Sequence, residues 1–119
     1  MSRINSNNNL VIDLELGNKL AGNKPELAKD LLRILIKNLS PDVQEIKQTF
    51  LDGDTKRLKS LVHKLHGATS YCGVPRLTTS LSRLATILKK HETNQLDSLI
   101  ADVEFETAQV LEKIAEIGM

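Results

Sequence analysis

This chain of 119 residues has very few aromatic residues: no Trp, one Tyr and two Phe. Its core must therefore be built mainly from Leu, Ile and Val, which suits packed helices. The single cysteine excludes an internal disulfide and fits a reducing compartment. No apolar run approaches the roughly 18 residues that a membrane-spanning helix needs, so we expect no direct membrane contact. The polar N-terminus lacks the apolar segment of a signal peptide, and we expect a cytoplasmic location.

The charges are also nearly balanced. The chain has sixteen Lys and Arg residues and fifteen Asp and Glu residues, which give a net charge of +1. A general nucleic-acid binder normally has a strong basic excess, so no nucleic-acid partner is predicted. The length fits one domain. We interpret residues 1–9, which include a Ser-Asn-Asn-Asn tract, as a flexible lead-in or linker, and residues 10–119 as the domain.

The apolar spacing indicates helices throughout, and no segment alternates as a strand would. Helix boundaries are predicted at Gly22-Asn23, Ser40-Pro41-Asp42, Asp52-Gly53-Asp54, Gly73-Val74-Pro75 and Glu92-Thr93-Asn94. Such short connections favour antiparallel neighbours. The predicted fold is all-α: an antiparallel, up-down four-helix bundle with additional short N-terminal helices.

Two of these predictions concern the segment before Asp52. Ser40-Pro41-Asp42 has the order of a cap, a first-turn proline and a first-turn acid, and it predicts that a new helix begins at Pro41. In the helix before it, a buried apolar face is predicted from Leu27, Leu31, Ile34 and Leu35, with Leu39 as a further candidate.

The segment between Asp54 and Cys72 places a histidine on the surface of a predicted helix. Because each residue turns the helix by about 100°, its apolar side chains share one face. That face comprises Leu58, Leu61, Val62, Leu65, Ala68, Thr69 and Cys72. His63 lies opposite, in one column with Lys59 and Gly67, since residues four apart are neighbours. His66 lies at the border of the two faces.

This column suggests a chemical role for His63. Imidazole titrates near neutrality, so its neutral, nucleophilic form is plentiful at pH 7. A glycine within a helix costs about 1 kcal/mol relative to alanine, which suggests that Gly67 leaves room for something close to the ring. A basic neighbour suits a histidine that holds a phosphoryl group, whose charge is about −2.

Other interpretations of His63 stay open from the residues alone. Most exposed helical histidines have no function. His63 and His66 could share a metal, but two ligands are too few for a closed zinc site, and none is predicted. Ser60 or Ser70 beside the histidines could suggest a hydrolase, yet neither has a third group to orient the base.

The run His63-Lys64-Leu65-His66-Gly67, followed by Gly73 and Leu77, resembles the motif of histidine-containing phosphotransfer (HPt) domains. The wider stretch from Leu61 to Leu77 is most similar to the C-terminal HPt domain of BarA/GacS-type hybrid sensor histidine kinases.

Two residues depart from the usual pattern of that family. His66 stands where most members have lysine, so its positive charge depends on its protonation. Ser70 stands where many members have a small residue, often glycine. Its hydroxyl could hydrogen-bond a phosphoryl group or could simply be tolerated.

The resemblance implies a helical bundle that carries a phosphoryl group on His63 and has no independent enzyme activity. The residues that it suggests are Lys59, His66, Gly67 and Ser70 as supporting residues, and Lys56 and Lys64 as docking residues.

The resemblance also implies partners. A receiver domain of a hybrid sensor kinase would donate the phosphoryl group, and the receiver of a response regulator would take it. The receivers would bring Mg²⁺, and the chain itself would need no metal or cofactor. We expect a monomer, either free or as the cytoplasmic C-terminal domain of a membrane-bound sensor kinase. The alternative is a non-catalytic helical interaction module, or a pseudo-HPt domain that docks receivers without carrying phosphate.

Overall fold

The computed structural model describes residues 10–118, and its secondary structure is helical without a strand in that range. The predicted lead-in, residues 1–9, lies outside the described residues, as does Met119. Five helices follow one another along the chain. They are α1 (Leu14–Leu20), α2 (Pro25–Leu51), α3 (Thr55–Thr69), α4 (Pro75–Lys89) and α5 (Leu96–Ile117).

The four longer helices form the predicted bundle. Each of α2 to α5 packs against the next along the chain, and α2 also packs against α5, which closes the ring of four. The connections between them are short, so neighbouring helices run antiparallel. The short helix α1 packs against α2. The all-helical fold class is therefore confirmed.

The core is aliphatic, as the composition predicted. Its largest fully buried side chains are Leu39, Ile46, Leu58, Leu77, Leu81, Leu84, Leu88, Ile100, Val62, Val74, Val103 and Val110. The aromatic residues lie further out: Phe50 is partly buried, while Tyr71 and Phe105 are exposed. Thr107, which interrupts the apolar face of α5, is buried with the aliphatic core residues. No helix in the described part of the chain combines the length and apolarity needed to cross a membrane.

The predicted helix boundary at Pro41 is wrong, because α2 continues through it from Pro25 to Leu51. An interior proline removes one backbone hydrogen bond and costs about 3 kcal/mol. Leu39 and Val43, on either side of it, are both buried on the core face of α2. Each buried aliphatic side chain contributes roughly 1.5–3 kcal/mol, so packing of both halves offsets the local cost.

The end of α3 is held against the start of α1 by a close backbone contact. Asp13 caps α1 by accepting a hydrogen bond from the Leu16 amide at 3.0 Å, and its own amide donates to the Gly73 carbonyl at 2.7 Å. A Cβ atom on Gly73 would lie 2.0 Å from the Asp13 carbonyl oxygen. Only glycine allows this approach, so the second glycine of the motif has a structural role.

Candidate functional site

Helix α3 presents His63 to solvent because its opposite face is used for packing. The helix starts at Asp54, whose carboxylate accepts a hydrogen bond from the Arg57 amide at 3.1 Å. Its buried residues are Leu58, Val62, Leu65 and Thr69. His63 follows Val62 directly and is exposed, as the helical spacing predicted.

The imidazole of His63 has no hydrogen-bond partner among residues 10–118. Within the described chain, neither ring nitrogen forms a hydrogen bond, and no carboxylate forms an ion pair with the ring. A catalytic base in a hydrolase is normally oriented by a third group. His63 instead has a ring that a partner can approach from solvent.

A groove between α3 and α4 contains this ring. It has a volume of about 370 Å³. We call it the His63 groove, and its lining residues are Lys56, Lys59, Ser60, His63, Ala85, Leu88 and Lys89. The structure therefore brings Lys56 and Lys59 to His63, as the sequence suggested. It adds Lys89 from the facing helix, which the sequence analysis missed.

Gly67 leaves a bare backbone one turn beyond His63. A Cβ atom built on Gly67 would meet no atom of the described chain within 4 Å. The packing of the bundle therefore does not require glycine at this position, in contrast to Gly73. The space is available to a partner that closes over His63.

We expect Gly67→Ala to separate folding from the phosphotransfer that the family resemblance implies. The fold should be stabilised by up to about 1 kcal/mol, since alanine favours a helix and meets no neighbour. Transfer from a receiver should slow severalfold, because the methyl group enters the space beside His63. Thermal melting and single-turnover transfer measure the two effects, with Ala68→Gly as the reverse exchange next to it. Transfer at the wild-type rate would show that this space is not used.

The other two supporting candidates lie at the far end of α3. His66 is half-buried in an adjoining groove with Ser82 and Arg83 of α4. The Ser70 hydroxyl donates a hydrogen bond to the His66 carbonyl at 2.8 Å, so its proton is used within the helix end. His66 and Ser70 are thus near each other but do not line the His63 groove.

Lys64 lies on the other side of α3. It lines a groove between α2 and α3 together with Asp42 and Glu45. Partial burial raises the pKa of the Asp42 carboxyl, Lys64 opposes that rise, and Glu45 adds to it. The charge of Lys64 therefore acts on the Asp42 carboxylate. Of the three predicted lysines, Lys56 and Lys59 line the His63 groove and Lys64 does not.

The groove between α2 and α3 also corrects one predicted face of α2. Ile34 was expected inside, but it is 60% exposed and lines this groove with Tyr71. Leu27, from the same predicted face, is exposed as well. Leu35 and Leu39 of that face are buried as predicted, and Leu32, which was not predicted, is buried too.

The two helices of the His63 groove carry charge of one sign. Between Thr55 and His91 there is no Asp or Glu, and the basic residues are Lys56, Arg57, Lys59, Lys64, Arg76, Arg83, Lys89 and Lys90. Two of these cations pair with other helices: Arg57 with Glu45, and Arg76 with Glu106 at 3.0 Å. In contrast, α5 is rich in acids. Although the net charge of the chain is only +1, α3 and α4 give the region of His63 a basic surface. Such a surface attracts anions and acidic partners.

The described residues contain no group of three or more His, Cys, Asp or Glu side chains that could hold a metal ion. The single cysteine, Cys72, is buried, and burial raises the pKa of its thiol to about 11. A thiol with so high a pKa is a poor nucleophile at neutral pH. Cys72 is therefore not a candidate nucleophile, and it does not line the His63 groove.

Comparison with known families and proteins identifies several relatives. The model of the family described as "Hpt domain" matches residues 30–117. The chain is 39% identical over 103 residues to the sensor protein GacS of Pseudomonas syringae pv. syringae, covering 82% of this chain and 11% of GacS. It is 34% identical over 71 residues to the signal transduction histidine-protein kinase BarA of Escherichia coli K12, covering 60% of this chain and 8% of BarA. The chain thus spans only about a tenth of the length of these relatives.

A solved structure has the same fold. It is the HPT domain from the Hpt sensor hybrid histidine kinase of Shewanella, and it superposes with a TM-score of 0.83 at 27% sequence identity. The match covers 90% of this chain and 92% of that domain. The bundle described above is therefore shared over nearly its full length.

Proposed function

The chain belongs to the Hpt domain family, and we propose that His63 is the residue on which it carries a phosphoryl group. The family role is histidine phosphotransfer in two-component signalling, as in the hybrid sensor kinases that the chain resembles. The observation that supports His63 most directly is its place in the His63 groove. Its ring is exposed beside Lys59, and the bare backbone of Gly67 lies one turn away.

The proposed reaction moves one phosphoryl group between an aspartate and His63. A neutral ring nitrogen, Nε2 with Nδ1 protonated, attacks the phosphorus of an aspartyl phosphate in line with the leaving oxygen. The new P–N bond forms as the P–O bond breaks, and the aspartate leaves as a carboxylate. The reverse step, with a second aspartate as acceptor, returns the imidazole to its neutral form.

Such a transfer depends on positioning and charge neutralisation more than on acid–base groups. The His63 groove supports both, because Lys56 and Lys59 line it together with His63 and bring positive charge to it. We propose that the receiver partner provides Mg²⁺ and that this chain needs no metal or cofactor of its own. The chain would then be a phosphotransfer intermediate without independent enzyme activity.

The proposed partners are two receiver domains, one in a hybrid sensor kinase and one in a response regulator. The similarity to GacS and BarA, of which the chain covers about a tenth, supports a role as one domain of such a relay. We propose that it acts in the cytoplasm as a monomer, in the C-terminal part of a membrane-bound sensor kinase. The basic surface of α3 and α4 suits an acidic receiver site.

Reversing the charge of the two groove lysines on α3, Lys56→Glu with Lys59→Glu, should weaken receiver binding about tenfold or more. Like charges on both partners slow association and oppose docking. The loss should be greater at low salt, because a Debye length of about 10 Å at 0.1 M screens exposed charges. Binding titrations at two salt concentrations measure it.

The double variant Lys19→Glu with Lys24→Glu is the matched control. It changes the net charge equally, and both lysines are exposed outside the groove. Equal losses in the two double variants would show that only net charge matters. Unchanged binding in the groove variant would place the docking surface elsewhere.

The chemical stability of a phosphoryl label transferred to the chain, in acid and in base, distinguishes the proposal from its alternatives. Phosphohistidine is labile in acid and comparatively stable in base, whereas phosphoserine is stable in acid. An acid-labile label on wild type supports the relay. Receiver binding without any label would favour a pseudo-HPt domain, and neither binding nor label would leave a helical interaction module.

A further inference from the structure

We propose that Lys89, at the end of α4, is a second phosphoryl-binding residue that acts on His63 from the opposite wall of the groove. This inference rests on the proposed function, since it assigns a ligand to the phosphoryl group that His63 would carry. Lys89 is outside the stretch that resembles the family motif. It is identified by its place in the folded chain.

Lys89 lines the same groove as His63 but comes from the other helix. Lys59 is on the α3 wall with His63, and Lys89 is on the α4 wall. The same groove is lined by the small side chains of Ser60 and Ala85 and by the buried Leu88. A phosphoryl group on the ring would therefore share the groove with ammonium groups from both helices.

The charge of Lys89 is not used elsewhere in the described chain. Among residues 10–118 it makes no ion pair and no side-chain hydrogen bond. Neither α3 nor α4 contains a carboxylate that could compete for it. Lysine binds phosphate as a compact point charge with three donors, and a phosphoryl group carries about −2 at neutral pH.

Lys89 has an ordinary structural role that must be separated from the proposed one. A cation in the last turn of a helix interacts favourably with the helix dipole. Lys90, the C-cap residue of α4, can do the same, but it does not line the His63 groove. Both residues are exposed. Lys90→Gln therefore matches Lys89→Gln in charge, exposure and helix position.

The test uses phosphoramidate, a small donor that needs no receiver docking surface. Its P–N bond breaks and ammonia leaves as His63 is phosphorylated. Lys89→Gln should slow labelling of His63 about tenfold, the size of effect typical for loss of one charged hydrogen bond. Lys89→Arg should keep most of the rate, and Lys90→Gln should equal wild type. Thermal melting of all four proteins checks that the bundle is intact.

The outcomes separate this inference from the proposed function. Labelling of Lys89→Gln at the wild-type rate would overturn the inference while leaving the function of His63 in place. An equal slowing in Lys90→Gln would also overturn it, because the effect would then belong to the helix end. A wild-type chain that accepts no phosphoryl group from phosphoramidate or from any receiver would overturn the proposed function, and this inference with it.

Discussion

Replacing His63 with glutamine should abolish phosphoryl acceptance and leave the fold nearly unchanged. Glutamine has no nucleophilic nitrogen, so no P–N bond can form. The side chain is exposed and makes no hydrogen bond within the described chain, so little stability is lost. The free energy of unfolding should stay within about 0.5 kcal/mol of wild type, as for other surface substitutions. Radiolabel transfer from a phosphorylated receiver, together with thermal melting, measures both quantities.

His91 offers a control for the loss of an imidazole as such. It is exposed and has a left-handed backbone conformation with φ of 59°, which asparagine also tolerates. His91→Asn should accept the phosphoryl group at the wild-type rate. A large drop in the melting temperature of His63→Gln would instead indicate a structural histidine.

Gly73→Ala should produce the largest loss of stability among single substitutions of this chain's glycines. The added Cβ would lie 2.0 Å from the Asp13 carbonyl oxygen and 2.8 Å from the Gly17 amide nitrogen. Both are backbone atoms, so no flexible side chain can move aside. Overpacking of this kind costs about 3 kcal/mol, or about 10 °C in Tm for a domain of this size. Urea unfolding followed by circular dichroism measures it.

Gly17→Ala is the matched control on the other side of the same contact. Its Cβ would lie 3.5 Å from the Gly73 amide nitrogen, which is an ordinary van der Waals distance. Alanine should therefore be tolerated there and should favour helix α1. If Gly73→Ala were as stable as Gly17→Ala, the close approach of α1 to the α3–α4 turn would not exist in solution.

The sequence predicted most of the bundle because its connections are short and its apolar spacing is regular. The prediction failed where local signals and packing disagreed. Pro41 has the neighbours of a helix start, yet α2 continues through it because Leu39 and Val43 are buried on either side. Ile34 fits the apolar period of α2 but is exposed in a groove, since the period alone does not give the width of the buried face.

The α3 half of the site could be predicted for a similar reason. His63, Lys59 and Gly67 share one helix, so their spacing alone places them in a column. Lys89 is on another helix, and its position depends on how two antiparallel helices align. The sequence did contain a signal for this position. In two antiparallel helices, residues equally far from the connecting turn face each other, and counting from Gly73 in both directions places Lys59 opposite the end of α4. The close contact at Gly73 needed the fold as a whole, because Asp13 is remote in sequence.

The measurement that tests the central claim most directly is tandem mass spectrometry, at neutral pH, of this chain after incubation with a phosphorylated receiver domain. The account predicts one added phosphoryl group, located on His63 and lost on brief acid treatment. A phosphoryl group on another residue, or none from several receivers with the bundle intact, would contradict it.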